Sequence, residues 1–216
     1  MKKIILLTLS VFIMAKIYPD DLTGKIETFW NFITENENNI FTVPNSESPL
    51  YLEIYNQIQL VDQNIFVMIG NEIENGKRNV IITCNGNPNY FELCDKIADL
   101  APGYSYLNII SLFPPSEEIG PYIFGNIILK AEDVLVHFDG TGDISLLFIL
   151  SHEHLVRLQR DNTGQLYNIY RQMLSMMVQE LIGERIAGTR VKSVVISLVN
   201  IAIPSIPLIE IRNYIK

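Results

Sequence analysis

The segment Ile65-Phe66-Val67-Met68-Ile69-Gly70-Asn71-Glu72-Ile73-Glu74-Asn75-Gly76-Lys77-Arg78-Asn79-Val80-Ile81-Ile82-Thr83-Cys84 holds two strand-like runs, Ile65 to Ile73 and Asn79 to Cys84, joined through Asn75-Gly76. Asn-Gly supplies the two positive φ angles of a type I′ turn, whose twist matches that of paired antiparallel strands. Just downstream, Asn87-Pro88 opens a helix with Phe91, Cys94, Ala98 and Ala101 as its apolar stripe, and Pro102-Gly103 closes it. Tyr106 to Phe113 is the next strand, stopped by Pro114-Pro115. The order strand, helix, strand predicts a right-handed βαβ crossover.

Working outward, Ile26, Phe29, Trp30, Ile33 and Ile40 recur at helical spacing and predict an amphipathic helix from about Thr23 to Asn39. A loop with Pro44, Asn45 and Ser46 follows. Ser48-Pro49 is a cap and first-turn pair for a second helix, whose inner stripe is Leu50, Ile54, Ile58 and Val61. In the other direction, Asp133 to Phe138 and Ile144 to Leu150 read as a second hairpin. Leu166, Ile169, Tyr170, Met173, Met177 and Leu181 define a long helix ending near Gly183, and Met176 is taken with them as core. The β-branched run Val191 to Val199 predicts an inner strand, and Pro204 and Pro207 break the chain before the tail Leu208 to Ile215. The expected fold class is α/β (α+β): a mixed β-sheet of about five to six strands covered by helices, with an N-terminal helical pair.

The first residues bear on compartment. Lys2 and Lys3 precede an apolar run from Ile4 to Met14, interrupted only by Thr8 and Ser10, and Ala15 follows. That is the order of a signal peptide, and the run is shorter than the ~20 residues of a membrane span. The expected organisation is a leader over residues 1–15 and one α/β domain over residues 16–216, secreted or periplasmic, with no membrane span in the mature chain. If the segment is instead part of the fold, the protein is cytoplasmic. Removal of the two leader lysines takes the net charge from −8 to −10. An acidic chain whose 16 basic residues form no cluster is a poor partner for nucleic acid, which binds through displacement of phosphate counterions. Cys84 and Cys94 fall on apolar positions of a strand and a helix, the setting of buried thiols that behave as small hydrophobes.

Candidate chemistry is sparse. His152-Glu153-His154 is the one close histidine pair. In a strand both imidazoles would point the same way and begin a metal site, completed by His137 or a carboxylate. In a helix they splay apart, and the ordinary reading is a polar segment leaving the strand that ends near Leu150. Asp139-Gly140-Thr141-Gly142-Asp143 carries two carboxylates. It lacks the further acids of a calcium loop, and its residues suit a tight turn. Asn85-Gly86-Asn87-Pro88 lies at a strand-to-helix turn, where amides can hold an anion, but it has no phosphate-cradle spacing and reads as a helix cap. Glu35-Asn36-Glu37-Asn38-Asn39 reads as a solvated helix end. No nucleophile elbow is present, and Ser151 beside His152 has no force, because such pairs are made in space.

Several of these segments together resemble an uncharacterised family of small bacterial α/β proteins, a domain of unknown function. The matching stretches are Phe29-Trp30-Asn31-Phe32-Ile33-Thr34-Glu35-Asn36-Glu37, then Asn75-Gly76-Lys77-Arg78 before Val80-Ile81-Ile82. Ala101-Pro102 with Ile109-Ile110 and Phe113, Leu181-Ile182-Gly183-Glu184 and Ile206-Pro207-Leu208 complete the likeness. It spans most of residues 25 to 215 and departs at the leader and at Arg185-Ile186-Ala187-Gly188. The resemblance implies a compact α/β domain and carries over no catalytic, cofactor or metal residue.

The expectation is therefore a non-enzymatic exported module that recognises a protein or small-molecule ligand, with no cofactor. The alternative is a metal-assisted hydrolase using His152, His154 and a carboxylate. A structural role in a polymorphic cell-surface or toxin-immunity system is a third class on which no residue bears. Mass spectrometry of protein made in an exporting host checks the leader: a mature chain beginning at Lys16 is expected, and an intact Met1 form would count against export.

Overall fold

The computed structural model describes residues 21–42, 48–139 and 143–215. The expected leader, residues 1–15, the expected loop residues Pro44, Asn45 and Ser46, and the centre of the Asp139–Asp143 turn lie outside the described residues. By internal contacts the chain divides into two compact units. The first holds the residues up to Cys84 together with Tyr90–Ser111, and the second holds Asn85–Asn89 together with the chain from Leu112 onward.

In the first unit, helix α1 runs over residues 21–35 and α2 over Glu37–Thr42. They form in place of one continuous helix because Asn36 interrupts the ladder. Its side-chain Nδ2 takes the Phe32 carbonyl at 2.9 Å, the acceptor its own backbone would use, and its N–H turns to Ile33 O at 3.1 Å. Asn side chains compete with the helix backbone in this way. Ile26, Phe29, Trp30, Ile33 and Ile40 are all buried, as their spacing predicts. Helix α3, Pro49–Val61, has Pro49 in its first turn and buries Ile54, Ile58 and Val61; Ser48 occupies the cap position without a side-chain capping bond.

Strands β1, Phe66–Glu74, and β2, Lys77–Thr83, pair antiparallel with Glu74 opposite Lys77. Asn75 at φ 50° and Gly76 at φ 78° make the expected turn. The register shifts between Ile69 and Ile73. After a 3-10 turn, helix α4, Phe91–Asp99, buries Phe91, Cys94 and Ile97. Its stripe therefore uses Ile97 where Ala98 and Ala101 were expected, and the helix ends before Ala101. Strand β3, Leu107–Ser111, then lies parallel to β2 with Val80 opposite Ile109, completing the βαβ order. Trp30 Nε1 donates to Ile97 O at 2.8 Å and fixes α1 on α4. Both thiols are buried, and neither Cys84 nor Cys94 is in a disulfide.

The second unit contains the hairpin β4, Tyr122–Phe124, with β5, Ile127–Leu129, and a four-stranded sheet in the order β8-β7-β6-β9. Its members are β6, Val134–Asp139, β7, Ile144–Leu150, β8, Val191–Ile196, and β9, Ile206–Pro207. Strands β6 and β7 form the expected second hairpin, and β8 adds parallel to β7. Helix α5 is His152–Gln159, α6 is Gln165–Ile182 and α7 is Glu184–Arg190. The inward face of α6, from Tyr170 to Ile182, packs on Val134, Val136, Leu146 and Phe148 of the sheet. Met173 and Met177 are core, whereas Met176 is exposed.

The α/β mix is as expected, but no sheet reaches five to six strands: the described residues form sheets of three, two and four. The expected inner strand over Val191–Val199 is the edge strand β8, which ends at Ile196 and leaves Val195, Leu198 and Val199 exposed. Lys192 on that edge, 3.9 Å from Asp143, is the kind of charge that keeps an open edge from pairing further. Among the described residues no helix is long and apolar enough to cross a membrane.

Gly183 joins α6 to α7 at φ 83°, where an added Cβ would sit 3.1 Å from Pro115 Cδ. Gly183→Ala is expected to lower the unfolding free energy by about 1–3 kcal/mol, the cost of a non-glycine residue held in this region. Gly24→Ala, in open space on α1, should be neutral or stabilising by up to about 1 kcal/mol. Denaturant titration of the two variants checks the contrast.

Candidate functional site

Of the polar residues singled out by sequence, His152 and His154 lie on α5. The strand β7 ends at Leu150, so His152 and His154 stand on the first turn of a helix and point apart by the helical repeat. His152 is exposed and His154 is buried. His137, on β6, places Nδ1 2.6 Å from Pro204 O. The three histidines thus go to separate surroundings. Among the described residues no three His, Cys, Asp or Glu side chains gather as a metal-ligand group.

His154 does form a polar chain. Its Nδ1 lies 2.8 Å from the Tyr170 hydroxyl, and its Nε2 lies 3.7 Å from Asp133 Oδ2. Burial pushes the Tyr170 phenol above its ordinary range, with Arg157 opposing and Glu153 adding to that shift, so the hydroxyl keeps its proton. The protonated phenol donates to Nδ1 or accepts from it according to the ring tautomer, and Nε2 faces Asp133. Asp133 is itself placed by local bonds: its Oδ2 accepts Lys130 N at 3.1 Å and its carbonyl accepts Ser151 N at 2.8 Å. The order acid, imidazole, hydroxyl is that of a base relay. Yet Tyr170 has no exposed surface, so a substrate cannot reach the oxygen that would have to react. The chain ties α5 to α6.

Outside this chain, Arg157 donates to Glu153 Oε1 at 2.9 Å and to Asn126 O at 3.2 Å. With Arg160, Asp161, Ile127 and Leu166 it borders an open cleft of about 440 Å³. Asp161 already occupies the start of α6, accepting the Thr163 hydroxyl at 2.6 Å, Thr163 N at 2.9 Å and Leu166 N at 2.7 Å, and those bonds, the hydroxyl's foremost, hold its carboxyl below the usual range. The cationic rim therefore shares its cleft with a fixed carboxylate.

The turn Asn85-Gly86 carries the feature that sequence reasoning missed. Its residues have φ 54° and 77°, and the Gly86 N–H donates to Glu184 Oε1 at 2.7 Å. Glu184 Oε2 accepts Phe113 N at 3.1 Å, and the carboxylate is fully buried at 0 % exposure. The anion that this turn was weighed to hold is thus the protein's own side chain. Glu184 follows Gly183 in the segment that entered only through the resemblance, and no spacing rule links residue 86 to residue 184. Glu37, read as part of a solvated helix end, is likewise in use: its Oε1 accepts Tyr106 N at 2.7 Å.

The other notable surface is the β4–β5 hairpin. Ile127 and Leu129 enter the core, while Ile123, Phe124 and Ile128 are 67 %, 56 % and 52 % exposed. Ile123 and Ile128 are direct cross-strand partners, so their side chains adjoin on the outer face. Tyr122 anchors the base by donating to Glu180 Oε2 at 2.7 Å. Comparison of the chain with protein-family models, curated proteins and solved structures gave no match.

Tyr170→Phe should cost about 1 kcal/mol by leaving the buried Nδ1 without its hydrogen-bond partner. His152→Ala should stay within about 0.5 kcal/mol of the parent, as exposed positions do. Thermal unfolding of both variants checks the assignment, and a larger loss from His152→Ala than from Tyr170→Phe would overturn it.

Proposed function

We propose that the protein is a non-enzymatic, exported interaction module that recognises a protein partner through the β4–β5 hairpin. The observation that carries this reading is the cross-strand pair Ile123 and Ile128 on the outer face of the hairpin, with Phe124 at its tip, all three more than half exposed. Single exposed apolar residues are ordinary, whereas an adjoining apolar pair with a third exposed residue at the tip of the same anchored hairpin is a surface a partner can cover. An exposed aromatic residue also suits an interface. Covering the open parts of three such side chains contributes on the order of a few kcal/mol.

Two further observations support a binding role over a catalytic one. Among the described residues no buried side-chain nitrogen or oxygen lacks a hydrogen-bond partner, so the polar interior is spent on holding elements together. The residues weighed for metal chemistry face different environments, as described above. The export half of the reading rests on the order of Lys2, Lys3 and the apolar run after them.

A photo-crosslinking side chain placed at Phe124 tests the surface in cells that make the protein. One defined protein adduct is expected, lost when Ile123 and Ile128 are both changed to serine while the far-ultraviolet circular dichroism is unchanged. An adduct indifferent to both serines, or none at all, would remove the hairpin from the proposal.

A further inference from the structure

The chain contains two Asn-Gly steps, Asn75-Gly76 and Asn85-Gly86. Such a step is open to spontaneous rearrangement. The glycine backbone nitrogen attacks the asparagine side-chain carbonyl carbon, ammonia leaves as the C–N bond to the amide breaks, and a succinimide ring forms. Water then opens the ring to aspartate or isoaspartate. Glycine favours the reaction because no side chain shields its nitrogen.

The two steps are closely matched in local form. Their φ angles are 50° and 78° in one and 54° and 77° in the other, and both asparagines are exposed. Neither the dipeptide nor exposure distinguishes them. What differs is the nucleophile. The Gly86 nitrogen is bonded to the buried Glu184 carboxylate at 2.7 Å, and Gly86 is packed so closely that a Cβ there would lie 2.9 Å from Gln179 Nε2. Turning that nitrogen toward the Asn85 side chain breaks a charge-assisted bond and strips a donor from a buried charge. Gly76, by contrast, stands in open space. On the β1 side the turn is held beyond the register shift by two pairs, Ile73 with Arg78 and Glu74 with Lys77, and Ile73 is exposed. On the β2 side Lys77 Nζ donates to Tyr104 O at 2.7 Å and Arg78 N to Tyr106 O at 2.8 Å, so Asn75 and Gly76 form a tip whose opening needs only the β1 side to give way.

We propose that Asn75 is a deamidation site in the folded protein and that Glu184 holds Asn85 against the same reaction. Conversion of Asn75 takes the net charge from −8 to −9, and the isoaspartate product inserts an extra main-chain carbon into the β1–β2 turn.

The test is peptide mapping by mass spectrometry of the full chain, aged in mildly alkaline buffer with and without denaturant. In the folded protein Asn75 should convert at least about tenfold faster than Asn85, which corresponds to about 1.4 kcal/mol of added protection at the second step. In denaturant the two rates should converge. A folded Glu184→Ala variant should bring Asn85 up toward Asn75 while leaving Asn75 unchanged; if that variant does not fold, the comparison within the parent chain still decides. Equal rates in the folded parent, an inert Asn75, or a difference that survives denaturation would each overturn the proposal. So would an Asn85 that stays slow in a folded Glu184→Ala chain.

Discussion

The buried carboxylate of Glu184 is the constraint around which the second unit is organised. Removing such a charge from water costs several kcal/mol unless hydrogen bonds replace its hydration. Two of those bonds come from backbone amides far away in sequence, Gly86 N and Phe113 N. Bonds from an amide to a charged acceptor are worth about 1.5–3 kcal/mol each, so the carboxylate stays buried only while both segments stay in place. The neighbouring bonds follow the same lines: Glu184 N donates to Phe113 O at 2.9 Å, and Ser116 N donates to Glu180 O at 2.7 Å. Gly183 is required between them because only a residue without Cβ turns at φ 83° against Pro115.

This arrangement shows where the polar side chains weighed above are engaged. A catalytic constellation leaves a reactive atom facing a space that a substrate can enter. Here the acids and amides that converge do so on one another. Glu184 spends its oxygens on backbone amides, Asp161 spends its own on the start of α6, and His154 lies between Tyr170 and Asp133. The two aromatic–polar chains, Tyr170 to His154 and Tyr122 to Glu180, both brace α6, which carries more of the buried cluster than any other single element.

How much of this was legible in the sequence follows from the range of each interaction. Asn75-Gly76 could be read because a type I′ turn is decided by two adjacent residues, and the stripe Ile26, Phe29, Trp30, Ile33 because helix periodicity is local. Asn36 illustrates the limit: its side chain competes for a carbonyl four residues back, an outcome that periodicity does not weigh. The strand over Val191–Ile196 was found from its β-branched residues, but its place at the edge depends on what fails to pair with it, which is a property of the whole sheet. The candidate site was the least legible part. His152 and His154 depended on whether a helix or a strand followed Leu150, and Glu184 depended on a contact spanning 98 residues.

The surface that remains for recognition is set by the same logic. Ile127 and Leu129 alternate with Ile128 along β5, so burying the first two in the core turns the third outward, and pairing places Ile123 beside it. A polar residue at 128 would keep the pairing with β4 and leave the core unchanged, since its side chain lies on the outer face. An isoleucine there, opposite Ile123, is not required by the core. Stability therefore does not account for the apolar outer face of the hairpin, which is the face that the proposed contact with a partner would cover.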